Sequence, residues 1–308
     1  MPIEDTMAEI GNSDQPLLNT LLTELSSLDT AELNFFKNSW PDIEVRRRRQ
    51  IMQRLGQLAE DNLELNFDDI FKHGLKDPDD AVRGEAIEGL WENEEPALIN
   101  PLINMLEQDG SEKVQVAAAM ALGKFALLAE HQRIRPSHAA RIQEALLKAT
   151  GDKNRPLEVR RRALEAAAPL SLPEVKQAIM AAYKGHNPKL IVSSIYAMGK
   201  NCDPDWLPLL LKELTSTDTE VRYEAAVACG ELEDKAAAPS LIKLAADPDV
   251  DVRMAALQAL GKIGGPEAKE FLESCRQDAS EAVRQTAEEA LSELKAIEEL
   301  SSFPLEQA

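Results

Sequence analysis

The side chains with an obvious chemical use are few, and their spacing limits what they can do. Four histidines (His73, His131, His138, His186) and three cysteines (Cys202, Cys229, Cys275) form no zinc-type cluster. There is no P-loop, no G-x-G-x-x-G after a strand and no G-x-S-x-G elbow. Three acidic runs could suggest calcium: Asp42-Glu44, Asp77-Asp79-Asp80 and Asp247-Asp249-Asp251. They lack the loop glycine and terminal glutamate of an EF-hand, so helix capping is the expected role. The cysteines have no paired spacing, which argues against a disulfide framework and for a reducing compartment. Cys229 and Cys275 read as apolar core, and Cys202, in KNCDPD, as a loop thiol. Trp91 and Trp206 read as core.

The charged residues are more telling. The 308 residues carry 54 acidic and 34 basic side chains, a formal charge of -20. That excess repels nucleic acid and anionic membrane as partners of the whole chain, while leaving room for a local basic patch. Residues 131–162 are locally +6 and residues 203–308 are locally -13. A second basic cluster comprises Arg46 to Arg49 with Arg54. No apolar run reaches the ~20 residues of a membrane span. The start, MPIEDTMAEI, lacks a basic-then-apolar leader, so a cytoplasmic location is expected.

These residues sit on a repeated element. DPDDAVRGEAIEGLW, TDTEVRYEAAVACGELED, DPDVDVRMAALQALGKIGG and DASEAVRQTAEEALSEL share a polar start, a Val-Arg pair and small residues three and four later. With the arginine as marker, the phase runs through Arg48, Arg83, Gln115, Arg160, Ile191, Arg222, Arg253 and Arg284, and the last four steps are 31 residues each. Eight units result, each reading as two helices. Asp79, Ser111, Asn187, Asp218, Asp249 and Ser280 precede the second helix as caps. Gly123, Gly199, Gly230 and Gly261 allow either close helix approach or a helix end. Pro101, Pro208 and Pro239 are expected to bend the first helices. Residues 131–137 read as a loop insertion that accounts for one 45-residue step.

The units resemble HEAT repeats, in particular the subclass first noted in phycobilisome-lyase-like proteins, over about residues 30–297. The resemblance implies an all-α fold: an α-solenoid of about eight helical hairpins, curved, with the second helices on its concave side. A hairpin cannot bury its apolar face alone, and stacking neighbours supplies one continuous core. Residues 1–29 are expected to be an N-terminal tail (1–13, loose) and a capping helix near 15–27, with a capping box of Asp29 and Glu32. Residues 298–308 are expected to be a C-terminal tail. The acidic last helix, with Glu288, Glu289, Glu293, Glu298 and Glu299, would end the stack.

Two enzyme types share this repeat grammar. Deoxyhypusine hydroxylases place His-Glu after the marker to hold two irons. Here Arg49, Gly84, Val116, Arg161, Val192, Tyr223, Met254 and Gln285 occupy the histidine position, and no histidine precedes a glutamate. The resemblance therefore implies no metal ligands, although similarity alone would suggest an oxidoreductase. A bilin lyase would need a basic groove, which Arg49, Arg161 and Arg162 could line, yet no pocket signature accompanies them.

The function expected is a non-enzymatic scaffold without cofactor or metal, holding a protein or peptide on the inner wall. The marker arginines Arg48, Arg83, Arg160, Arg222, Arg253 and Arg284 are expected to join inter-repeat ladders with the capping aspartates. Arg47, Arg49, Arg161 and Arg162 are surplus to that need and would suit an anionic segment or form a solvated face. The candidate partner contacts are Arg49, Gly84, Glu85, Arg161, Arg162, Ser193, Tyr196, Tyr223, Glu224 and Met254. The alternatives are a HEAT-like enzyme or accessory factor, and a phosphate-backbone binder using the arginine clusters. The partner's identity and the oligomeric state are not legible.

Overall fold

A computed structural model describes residues 1–302 of the chain, with side chains described through Ala296. Among these residues the regular structure is helical throughout, an α-solenoid of paired helices. The chain divides into two compact units, Met1–Ala166 and Ala167–Ala308.

The first unit holds α1 (Ile3–Gly11), α2 (Asn19–Thr23), α3 (Thr30–Ser39), α4 (Val45–Asp61), α5 (Asp68–Gly74), α6 (Asp80–Gly89), α7 (Ile99–Gln108), α8 (Glu112–Glu130), α9 (Pro136–Gly151) and α10 (Leu157–Ala167), the last ending at the division. The second holds α11 (Pro173–Tyr183), α12 (Pro188–Asn201), α13 (Leu207–Glu213), α14 (Thr219–Leu232), α15 (Ala238–Leu244), α16 (Val250–Ile263), α17 (Pro266–Cys275) and α18 (Glu281–Ser302). Every marker position falls on an even-numbered helix from α4 to α18, so the eight expected hairpins are α3/α4 through α17/α18.

Second helices stack on one another: α4 on α6 and α6 on α8 in the first unit, α12 on α14, α16 and α18 in turn in the second. Glycine decides how closely. A Cβ on Gly199 would lie 2.8 Å from the Ala228 Cα, and one on Gly230 would lie 2.9 Å from the Ala259 Cα. These glycines serve close approach of helix to helix, not helix ends. The seam between is Ala and Leu, such as Ala225, Ala226, Ala256 and Leu260, all buried.

Four of the expected caps follow the sequence. Asp79, Asn187, Asp218 and Asp249 accept backbone N–H bonds at the starts of α6, α12, α14 and α16. Ser111 stands at the cap of α8 but makes no such bond, because its Oγ donates to Asp80 instead. Asp29 and Glu32 form the expected capping box on α3.

Several expectations need correction. Residues 1–13 are not a loose end: α1 buries Ile3, Met7 and Ile10. The helix expected near 15–27 shrinks to α2, five residues long. Pro208 and Pro239 lie in the first turn of α13 and α15, just after 3₁₀ turns, where the missing N–H costs little. Pro101 is the third residue of α7, likewise after a 3₁₀ turn. Residues 131–135 are a loop, as expected, and α9 begins at Pro136, but the loop alone does not account for the 45-residue step, since α8 has 19 residues and α9 has 16. Trp206 is buried as expected, but Trp91 is 55% exposed. At the other end α18 runs past residue 297, with Glu288, Glu289 and Glu293 exposed. The side chains of Glu298 and Glu299, and the tail from 303 to 308, lie outside the described residues.

Candidate functional site

Of the six marker arginines expected to build ladders, Arg48, Arg83 and Arg222 do so, though to a different aspartate than expected, while Arg160, Arg253 and Arg284 bond backbone carbonyls that precede their own helices instead. Arg83 donates through Nε and Nη2 to Asp109 at 2.8 and 2.7 Å, and its Nη1 reaches the Asp77 and Pro78 carbonyls. Arg222 repeats this with Asp247 and the Ser216 carbonyl. Arg48 faces Asp77 at 3.4 Å. The acceptors lie two residues before each cap, in the turn between helices. Arg253 and Arg284 hold the turn carbonyls before their own helices. Arg160 donates to the Thr150 carbonyl.

Of the surplus arginines, two are structural. Arg47 is buried, and its guanidinium donates to the carbonyls of Ile10, Asn12 and Gln15, tying down the N-terminal segment. Arg49 is no free groove cation: it forks onto Asp79, the cap of the next second helix, at 2.8 and 2.5 Å. That bond holds the Asp79 carboxyl below the ordinary carboxylate range. Arg161 and Arg162 pair with Glu158 and Glu165 on their own helix. The basic groove that an anionic partner or a bilin would need is thus largely self-neutralised.

The remaining candidates separate cleanly. Ser193 is 1% exposed and offers a partner no surface, contrary to expectation. Tyr196 is half-buried, with Lys200 Nζ 6.0 Å from its ring centre. Gly84 and Glu85 are half-buried on α6, and burial with Glu88 nearby raises the Glu85 carboxyl. Glu224 is half-buried on α14.

Tyr223 and Met254, from different repeats, are brought to one groove. They line an open groove of about 480 Å³ between α14 and α16. Glu220, Asp249, Asp251 and Gln258 complete its walls. Glu220 and Asp251 are exposed and have no cationic partner among the described residues. Sequence reasoning missed them, yet a signal was there: both stand two residues before a marker, 31 residues apart. The groove sets Tyr223 and Met254 beside three acidic side chains.

Other chemistry is not assembled. Among the described residues no three His, Cys, Asp or Glu side chains are placed to hold a metal. Burial, with Glu231 nearby, raises the Cys202 thiol, and burial pushes Cys229 up to about 12. Neither is a ready thiolate. No helix among the described residues is long and apolar enough to cross a membrane.

The HEAT-repeat family profile matches residues 69–137 and 207–292, just over half of the chain. The protein belongs to the HEAT-repeat family. Among solved structures, the CpcE–CpcF complex of the phycocyanin lyase of Nostoc is similar at a TM-score of 0.50 and 21% identity, over 74% of this HEAT-repeat chain and 94% of that one. The YibA protein of E. coli gives 0.47 and 16%, over 78% and 96%. Human deoxyhypusine hydroxylase gives 0.33 and 19%, over 96% of both. At 21% identity the likeness to the lyase complex is one of fold alone. No curated protein matches the chain.

Proposed function

We propose that this HEAT-repeat protein is a non-catalytic scaffold that binds a protein partner through a positively charged segment bearing an apolar side chain. One observation carries the reading: Tyr223 and Met254 share a groove whose free charges are all acidic. Tyrosine offers a large contact area at low ordering cost, and methionine adapts its shape to the occupant. Glu220 and Asp251 supply complementarity to lysine or arginine, and the local -13 of residues 203–308 would steer such a segment in. The preformed wall spares the scaffold most of the ordering cost of binding. A cytoplasmic setting suits the three unpaired cysteines.

The polarity of the partner is thus the reverse of that suggested by the arginine clusters, since Arg49, Arg161 and Arg162 already have carboxylate partners. Affinity capture from the native cell tests the proposal. Partners should be released by raised salt, lost with Glu220→Lys plus Asp251→Lys, and weakened with Tyr223→Ala plus Met254→Ala. Retention of every partner by both double variants would overturn it. Retention with those variants but loss with Arg161→Glu plus Arg162→Glu would restore the anionic-partner alternative.

A further inference from the structure

A second cleft lies at the other chemical extreme. In the second unit α14 is flanked on both sides by second helices, α12 and α16. In the first unit α4 has α6 on one flank but only α1 and the five-residue α2 on the other. Much of that flank stays open, and beside it runs a cleft of about 600 Å³ walled by the segment Ser13 to Leu17. The wall is fixed in place, because buried Arg47 holds the carbonyls of Asn12 and Gln15.

The residues that α4 presents to this cleft form one stripe. Arg46, Gln50, Gln53, Arg54 and Gln57 recur at helical spacing and are all exposed. Arg54 donates one bond, to Gln57 Oε1 at 3.1 Å. Among the described residues neither Arg46 nor Arg54 pairs with a carboxylate. Each glutamine amide offers both a donor and an acceptor, the pattern needed by a peptide unit. The two guanidiniums are eight residues apart, about 12 Å along the helix axis. In an extended chain, side chains four residues apart lie on one face about 13 Å apart.

We propose that the cleft beside α4 binds an extended peptide segment carrying two acidic side chains four residues apart. The carboxylates meet Arg46 and Arg54, and the glutamines between them hydrogen-bond the peptide backbone. Glu44 lines the same end as Arg46 and accepts a bond from Ser13 Oγ. Its charge weakens the hold there, which makes Arg54 the stronger anchor. This site rests on α4 and its neighbouring segment, not on the groove between α14 and α16, so the two proposals fail separately.

The test uses the full-length chain on an array of random heptapeptides, with the best binder then titrated free by fluorescence anisotropy. The expected result is enrichment of Asp or Glu at two positions four apart. Affinity for the titrated peptide should fall at least tenfold in Arg46→Glu plus Arg54→Glu, more in the Arg54→Glu single variant than in Arg46→Glu. Because both side chains are exposed, the melting temperature should not change. Gln50→Ala plus Gln53→Ala gives a charge-neutral check and should also weaken binding. No acidic enrichment, or an acidic peptide held equally by all variants, would overturn the proposal. Tighter binding of a single-stranded oligouridylate, lost in the same arginine variant, would overturn it in favour of nucleic acid.

Discussion

Asn201 is 9% exposed and makes every bond its amide can reach. Its Nδ2 donates to the Ala168 and Leu170 carbonyls, and its Oδ1 accepts from Trp206 Nε1 at 3.0 Å. One side chain thus joins the end of α12, the turn before α11 and the start of the next hairpin. Asn201→Ala removes the partner of the buried Trp206 Nε1 donor and of the Ala168 carbonyl, while the Leu170 carbonyl keeps its bond from the Leu172 N–H, and should cost about 2–4 kcal/mol in a urea melt. Nothing in the local sequence marks this residue, because its partners are backbone atoms of a distant turn and a tryptophan five residues on. The left-handed helix ends are equally hidden until aligned. Cys202 and Glu233 have φ of 52° and ψ of 22° at the ends of α12 and α14, 31 residues apart, whereas Gly264, 31 residues further on, pairs a φ of 64° with an extended ψ of -162°. Neither Cys202 nor Glu233 is the residue type the left-handed geometry favours. Glu233→Gly should therefore stabilise the chain by about 0.5–1 kcal/mol, read from the shift in denaturation midpoint. Arg48, Arg83 and Arg222 were legible as ladder formers from their repetition, but the same repetition did not show that Arg253 and Arg284 stop at their own turn carbonyls. Nor was the aspartate legible, because the turn places the residue two before the cap, rather than the cap itself, opposite the guanidinium.

At the scale of the helix, the same residue type has opposite meanings in two places. Gly230 faces Ala259 across the α14–α16 seam with no room for a methyl group, whereas a Cβ on Gly84 meets nothing within 4 Å. Alanine raises helix propensity at both sites by about 1 kcal/mol. At Gly230 that gain is set against forcing two packed helices apart, which costs about 1–3 kcal/mol. Gly84→Ala should raise the melting temperature and Gly230→Ala should lower it. Equal shifts of one sign in thermal melts would contradict the seam. The phase of the repeat identified Gly230 as special, yet it left close approach and helix termination open. Three-dimensional proximity decides between them. The element boundaries that the sequence misjudged share a cause. The repeat gives the phase of a hairpin but not its length, so the 45-residue step was assigned to the loop near 131 alone, when the length of α8 and α9 supplies much of it. Before the first marker there is no repeat to align, and α1 went unseen despite its apolar spacing at Ile3, Met7 and Ile10.

Across the whole molecule, the ladders link stability to pH with a definite sign. Arg222 holds the Asp247 carboxyl below the ordinary carboxylate range, Arg49 does so for Asp79, and Lys176 for Asp203. For Asp109 and Glu231 burial pushes the carboxyl up, but bonds from Arg83, and from Lys262 and Lys200, outweigh it and leave both below that range. A carboxyl depressed in the folded state binds its proton more readily when unfolded. Its contribution is therefore complete above about pH 4 and is lost as pH falls through the folded value. His73 acts in the same direction at milder acidity: burial, aided by Lys37, lowers its imidazole, so the unfolded state takes up the proton first below about pH 6.5. Glu85 opposes both, because its raised carboxyl is relieved by protonation. With Glu95, which Lys72 also holds down, six carboxyls against one set the outcome, and thermal melts should show a shallow decline from about pH 6.5 and a steep one below about pH 4. Asp247→Asn assigns the steep part. It removes a carboxylate that is 6% exposed and leaves Arg222 without its fork, so the variant should be less stable at neutral pH by about 3 kcal/mol. Its melting temperature should also fall less than that of the parent between about pH 4 and pH 2, because one of the groups responsible is gone. Parallel pH profiles for parent and variant would mean that acid sensitivity arises outside the inter-repeat ladders.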